Sequence, residues 1–109
     1  MAKVELGQLV EAAREGDRDA FATLVHRYQN FAIGLAYAGL GDAELARDAA
    51  QDAFIEAFLR LYQLRDPQAF PSWMRRIVAK HCDRITRRKT RSIEDLAFPA
   101  GQPVMRQKR

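Results

Sequence analysis

Apolar residues recur at intervals of three and four along most of this 109-residue chain, and glycine or proline separates the stretches that show this spacing. Side chains at such intervals share one face of an α-helix, whereas a strand needs strict alternation, which is absent here. The pattern predicts helices over about 6–13, 17–40, 42–64 and 71–91. We therefore predict an all-α fold, a compact bundle of about four helices.

The residues at the breaks are typical of helix ends. Gly16 ends the first helix, Asp17 or Asp19 caps the second, Asp42 caps the third, and Pro71 occupies the first position of the fourth. From Ser92 the periodic pattern weakens to one further turn at most, and we predict a flexible linker or tail over 92–109. The folded domain is predicted to span residues 1–91.

The third predicted helix is rich in alanine, which lets a neighbouring helix approach closely. Its predicted core face consists of Leu45, Ala46, Ala49, Ala50, Ala53, Phe54, Ala57, Phe58 and Leu61. The second helix contributes Phe21, Leu24, Val25, Tyr28, Ala32, Leu35 and Ala36.

Charge is distributed unevenly along the chain. Residues 1–70 contain seven Lys or Arg against eleven Asp or Glu, a net charge of −4, and residues 71–109 contain eleven against three, a net charge of +8. Such a division predicts two electrostatically different surfaces, which suggests two partners. The alternative is a basic tail without a specific target.

The fourth predicted helix has a basic face and an apolar face. Cations at helical spacing line the basic face: Arg76, Lys80, Arg84, Arg87 and Arg91. Core residues line the opposite face: Met74, Ile77, Val78, His81 and Ile85. Trp73 lies at the margin of the basic face, where its indole could stack on an unpaired base. A helix of this design is suited to lie along a polyanion such as DNA.

The outer side of the third helix is not purely polar. Asp48, Gln51 and Asp52 lie there together with Ile55, Leu59 and Tyr62. Mixed patches of this kind are typical of protein interfaces, and this one predicts a basic partner. The alternative is that the first helix covers Ile55 and Leu59. If the patch is exposed, the isolated domain could also self-associate through it.

No motif for catalysis, a cofactor or a metal is present. There is no glycine-rich phosphate loop and no Cys/His ligand spacing, so we predict neither an enzyme nor a cofactor. His81 is predicted to be a hydrogen-bonded core histidine, and the single cysteine, Cys82, excludes an internal disulfide. Without a signal-peptide pattern or an apolar run of membrane-spanning length, we predict a cytoplasmic protein with no membrane partner.

Three strings in this order resemble region 2 of bacterial sigma-70-type factors, specifically the small extracytoplasmic-function (ECF) group. They are GDRDAFATLVHRYQNF, LARDAAQDAFIEAFLRLYQL and AFPSWMRRIVAKHCDRITRRK, and together they cover about two thirds of the chain. The resemblance implies a sigma factor domain that binds core RNA polymerase and recognises and melts the promoter −10 element.

The resemblance also implies roles for particular residues. In the family, the equivalent of the third helix docks on the clamp coiled coil of the polymerase, and the matching positions here are Asp48, Gln51 and Asp52. With Ile55 and Leu59 of the mixed patch they form the predicted polymerase-binding surface. The loop 64–70, with Leu64, Arg65 and Phe70, would hold a base flipped out of the non-template strand. Trp73, Arg76, Lys80, Arg84 and Arg87 would contact the single-stranded DNA.

The chain departs from the family pattern in two ways. Lys80 and Arg84 stand where the family usually has Asn and Asp, which makes the fourth helix more basic and puts the −10 sequence in doubt. The chain also stops within what resembles the linker to a C-terminal region 4 domain. The promoter, the inducing signal, any anti-sigma factor and the oligomeric state stay open.

Two alternatives to the sigma factor hypothesis remain at this point. A helical nucleic-acid-binding regulator unrelated to polymerase would explain the fourth helix but not the mixed patch of the third. A protein-interaction module, such as an anti-sigma partner or adaptor, would explain the third helix but not the basic face beside Trp73.

Overall fold

The computed structural model describes the backbone of residues 4–97 and the side chains of residues 4–93. The regular elements within this range are all helical, which confirms the predicted fold class. Four α-helices, α1 (Leu6–Arg14), α2 (Arg18–Leu40), α3 (Ala43–Arg60) and α4 (Phe70–Ala97), are accompanied by two 3-10 turns, Leu61–Gln63 and Pro67–Ala69.

The predicted N-caps Asp17 and Asp42 begin α2 and α3, whereas α4 begins at Phe70, one residue before the predicted start at Pro71. The Asp17 side chain accepts a hydrogen bond from the backbone N–H of Ala20 at 3.1 Å, and Asp42 does the same for Leu45 at 3.0 Å. Each aspartate satisfies one of the donors that the first turn of a helix leaves without a partner. Gly41 ends α2 in the left-handed conformation, with φ of 68°, which a residue without a side chain adopts at little cost.

The alanine-rich face of α3 lies at the centre of the bundle. Ala46, Ala49, Ala53 and Ala57 are fully buried there, because α3 packs against both α2 and α4. Small side chains permit this close approach on two sides of one helix. The largest fully buried side chains come from α1, α2 and α4, and they are Val10, Leu24, Phe70, Met74 and Val78.

Three further predicted details are wrong. α3 ends at Arg60 and not near residue 64, because the chain tightens into the 3-10 turn Leu61–Gln63. Phe58, predicted for the core, is 47% exposed, and its ring packs edge-on against that of Phe21 on α2 with 5.1 Å between the ring centres. α4 runs without a break past residue 91, where the predicted helix ends, to Ala97. The rest of the predicted tail, 98–109, lies outside the described residues.

Candidate nucleic-acid and protein interfaces

The basic face of α4 forms as the sequence predicts. Met74, Ile77, Val78 and His81 are buried, and Ile85 packs against the core, so the opposite side of the helix is turned outward. All the predicted cations of that side are exposed, at one-turn intervals: Arg76, Lys80, Arg84, Arg87 and Arg91. α4 therefore presents a row of positive charge about 15 residues long whose orientation is set by the core.

Aromatic side chains surround the beginning of α4. Phe70 is fully buried. The centre of its ring lies 5.4 Å from the centre of the Tyr28 ring and 6.1 Å from the centre of the Trp73 ring. Trp73 is only partly buried and lies at the edge of the basic face. Nearby, the Arg75 guanidinium lies 5.7 Å from the centre of the Phe31 ring, a cation–π geometry that sequence reasoning missed because α2 supplies the ring.

The loop before α4 differs from the expectation at two residues. Leu64 and Phe70, both predicted to contact DNA, are 5% and 0% exposed and belong to the core beneath the loop. Arg65 is exposed, and Asp66 shapes the next turn by accepting a hydrogen bond from the Gln68 N–H at 3.0 Å. In this conformation the loop offers Arg65 at its surface, while Leu64 and Phe70 support it from below.

A polar cluster joins α3 to α4. The Glu56 side chain is 15% exposed and accepts hydrogen bonds from Lys80 Nζ and from His81 Nε2 at 2.8 Å. It also forms an ion pair with Arg60, whose Nε lies 3.3 Å away. The hydrogen bond from Lys80 is the main reason why the pKa of Glu56 lies below its ordinary value. Partial burial acts in the opposite direction, and His81 adds to the lowering. His81 is thus the hydrogen-bonded core histidine that the sequence predicts.

Sequence reasoning missed Glu56 altogether. Its partners on α4 are 24 and 25 residues away, so no local spacing connects them. The only signal was a carboxylate one turn after Ala53, at the edge of an otherwise apolar face. Lys80, which was predicted for the DNA surface, also contacts a carboxylate of α3 in this cluster.

We expect Glu56→Gln to destabilise the domain at neutral pH by about 1–3 kcal/mol, since hydrogen bonds to charged partners are weakened. Because the folded-state pKa of Glu56 is lowered from 4.5, its stabilising effect is complete above that value and lost as pH falls through the folded-state pKa. The difference in unfolding free energy between the two proteins should therefore shrink between pH 6 and pH 3.

Urea unfolding at a series of pH values measures this difference. A suitable control is Glu11→Gln, because the Glu11 side chain is 58% exposed and forms only a surface ion pair with Arg14. That variant should lose much less stability at neutral pH. A difference between native and Glu56→Gln proteins that stays constant down to pH 3 would contradict the assigned role of the carboxylate.

The outer face of α3 is exposed, and α1 does not cover it. Asp48, Gln51 and Asp52 are open to solvent, and Ile55 and Leu59 are 53% and 66% exposed. Beside them lies an apolar groove of about 310 Å³ between α2 and α3, lined by Phe21, Val25, Phe54, Ile55, Phe58 and Leu59. The acidic and apolar residues together form one mixed surface, hereafter the α3 face.

A second groove lies between the first half of α3 and the last described turns of α4. Asp48 and Asp52 line one wall, Arg88 and Lys89 line the other, and the space measures about 690 Å³. The acidic end of α3 thus faces cations of α4, which sequence reasoning had treated as a separate surface. Among the residues whose side chains are described, no group of three or more His, Cys, Asp or Glu could hold a metal ion.

The arrangement of these faces agrees with comparisons to known proteins. The sigma-70 region 2 family matches residues 24–92, which include the α3 face and the basic face of α4. The chain belongs to the sigma-70 region 2 family. The resemblance inferred from the three sequence strings is therefore confirmed.

Among curated sigma-70 relatives, the RNA polymerase sigma-H factor of Pseudomonas aeruginosa is 44% identical over 70 residues, which are 64% of this chain and 36% of the relative. The ECF RNA polymerase sigma factor SigW of Bacillus subtilis is 35% identical over 81 residues, 73% of this chain and 43% of the relative. The chain thus spans less than half the length of these relatives.

A solved structure is also similar. An engineered region 2 of sigmaE, determined by NMR in complex with GTAAAA, superposes with a TM-score of 0.78 at 28% sequence identity. The match covers 86% of this chain and 99% of that one. None of the helices among the described residues is both long and apolar enough to span a membrane.

Proposed function

We propose that this chain is the part of an ECF sigma factor that binds core RNA polymerase and recognises and opens the promoter −10 element. The observation that carries the proposal is the pair of differently charged faces held by one core. α4 presents exposed cations beside a partly exposed tryptophan, and α3 presents carboxylates beside exposed aliphatic side chains. Such partners, polymerase and chromosomal DNA, would place its action in the cytoplasm.

DNA opening by this domain would need no covalent chemistry. A protein stabilises separated strands when it binds an extruded base and the single-stranded backbone more tightly than the duplex. Arg76, Arg84 and Arg87 would contact phosphates, and the Trp73 indole would stack on a base. Arg65 would add a contact from the loop, which Leu64 and Phe70 support.

Polymerase binding is assigned to the α3 face. Asp48, Gln51 and Asp52 offer hydrogen-bond acceptors to a basic coiled coil, while Ile55 and Leu59 supply apolar area that a partner would bury. The clamp coiled coil of the polymerase is the partner that the family resemblance implies. An anti-sigma factor or a second copy of the domain would compete for the same exposed apolar residues.

We expect the 109-residue chain to bind a single strand containing GTAAAA more tightly than the same sequence as a duplex, because unstacking a base in the duplex costs energy. Trp73→Ala should weaken single-strand binding by about 5- to 150-fold, as base–aromatic stacking contributes about 1–3 kcal/mol. Fluorescence anisotropy with labelled oligonucleotides measures both quantities.

Trp73→Phe is the matched control, because it keeps a ring for stacking and for packing on Phe70. Circular dichroism and thermal melting of each variant separate lost DNA contacts from lost structure. Equal affinity for single strand and duplex in the native protein would show that the melting role is wrong.

A further inference from the structure

The exposed cations of α4 are not equivalent. Arg76, Lys80 and Arg84 lie one turn apart on the same face, yet the ammonium of the middle residue contacts the Glu56 carboxylate of α3. Lys80 remains 45% exposed, so solvent and a DNA phosphate can reach it. An ammonium group that is paired with a fixed carboxylate attracts a phosphate less strongly, because the carboxylate charge partly cancels its own.

Glu56 is held in place and cannot follow Lys80 toward DNA. His81 Nε2 binds one carboxylate oxygen at 2.8 Å, and Arg60 Nε lies 3.3 Å from the other. Because the Glu56 side chain is only 15% exposed, losing the contact with Lys80 leaves its charge less well compensated. The free energy gained from a contact between Lys80 and a phosphate is therefore partly offset by the free energy lost when Lys80 leaves Glu56.

We propose that Glu56 is a positioning residue that holds Lys80 on the protein and thereby lowers the affinity of the α4 basic face for DNA. This inference rests on the proposed function, since it concerns the same DNA surface. DNA must compete with Glu56 for the central cation, which reduces the sequence-independent, salt-sensitive part of binding. Removing the carboxylate charge should release Lys80 to the backbone.

The test is a double-mutant cycle on the 109-residue chain with a single strand containing GTAAAA, measured over a series of NaCl concentrations. Glu56→Gln keeps the size of the side chain and one acceptor oxygen, but it replaces the other oxygen with an NH2 donor and removes the charge. We expect it to bind about three- to tenfold more tightly at low salt and to steepen the salt dependence by about 0.7, the value for one added phosphate contact to a single strand.

The second arm of the cycle is Lys80→Met. It should cost at least about threefold more affinity in the Glu56→Gln background than in the native background, because only there is Lys80 fully available to phosphate. A scrambled strand should gain as much from Glu56→Gln as the GTAAAA strand, since phosphate contacts carry no sequence information. A gain confined to GTAAAA would overturn the phosphate assignment.

Glu11→Gln controls for the general effect of removing one negative charge. Glu11 is an exposed carboxylate of α1, and its replacement alters net charge by the same amount as Glu56→Gln. Its effect on affinity should be the same with Lys80 or Met at position 80. Coupling to Lys80 as strong as that of Glu56 would mean that overall charge, and not the α3–α4 contact, determines the affinity.

A comparison within the native background needs no change at Glu56. Lys80→Met should cost less affinity than Arg84→Met, because Arg84 has no share in the Glu56 cluster. Equal costs, or equal affinity and salt dependence of the native and Glu56→Gln proteins, would overturn the inference while leaving DNA binding intact. If the native chain does not bind the strand at all, the proposed function itself fails, and the inference fails with it.

Discussion

Replacing Phe70 with alanine is expected to lower the free energy of unfolding by about 3–5 kcal/mol, the usual cost of removing a fully buried aromatic ring. The side chain has no exposed surface and contacts the rings of Tyr28 and Trp73. A domain of this size has a total stability of only about 5–15 kcal/mol, so the variant should be near the limit of folding. Urea unfolding followed by circular dichroism measures the loss.

Phe70→Leu separates the core role from the DNA role that the family resemblance suggested. Leucine refills most of the volume, and we expect a loss of about 1–2 kcal/mol. Under conditions where this variant is folded, its affinity for the GTAAAA strand should stay close to that of the native chain. If Phe70→Leu keeps native stability but loses DNA binding, Phe70 contacts DNA directly and must leave the core when DNA binds.

Reversing two charges on the α3 face should abolish co-purification with core RNA polymerase. Asp48→Arg combined with Asp52→Arg would place two cations against a basic partner surface, and like charges across an interface cost several kcal/mol. We expect at least about a hundredfold weaker association, since each tenfold corresponds to about 1.4 kcal/mol. Both side chains are exposed, but they face Arg88 and Lys89 across the groove between α3 and α4, so circular dichroism must show that the variant is folded.

Glu11→Arg combined with Glu15→Arg is the matched control for this variant. It changes net charge by the same amount at exposed positions at the end of α1, away from the α3 face. The control protein should still co-purify with the polymerase. Retained binding by the Asp48→Arg, Asp52→Arg protein would refute the assignment of the α3 face.

The α3 face and the basic face of α4 lie close together because of the alanines in α3. Ala46, Ala49, Ala53 and Ala57 let α4 pack tightly on α3, which brings Glu56 within reach of Lys80 and His81. Glu56 is also the neighbour of Ile55 on the proposed polymerase-binding surface. One carboxylate therefore lies at the boundary between the surface assigned to protein and the surface assigned to DNA.

Much of the fold and part of the site could be predicted from local pattern. Helical spacing, caps such as Asp42 and breaks such as Gly41 act over three or four residues, so the sequence shows them directly. The same holds for the basic face of α4, where Arg76, Arg84 and Arg87 are outward because Met74 and Val78 are inward. The three sequence strings, taken in their order along the chain, were enough to indicate the sigma-70 region 2 family.

Only the tertiary structure decided the features that depend on which helices meet. Phe58, predicted for the core, is left partly exposed between α2 and α3, whereas Phe70, predicted for the DNA-contacting loop, is enclosed by α2 and α4. Lys80 has the spacing of a DNA-facing cation, but Glu56, 24 residues earlier, engages it. Periodicity determines the face of a helix on which a residue lies, whereas the partner of that face depends on packing between distant segments, which local spacing does not encode.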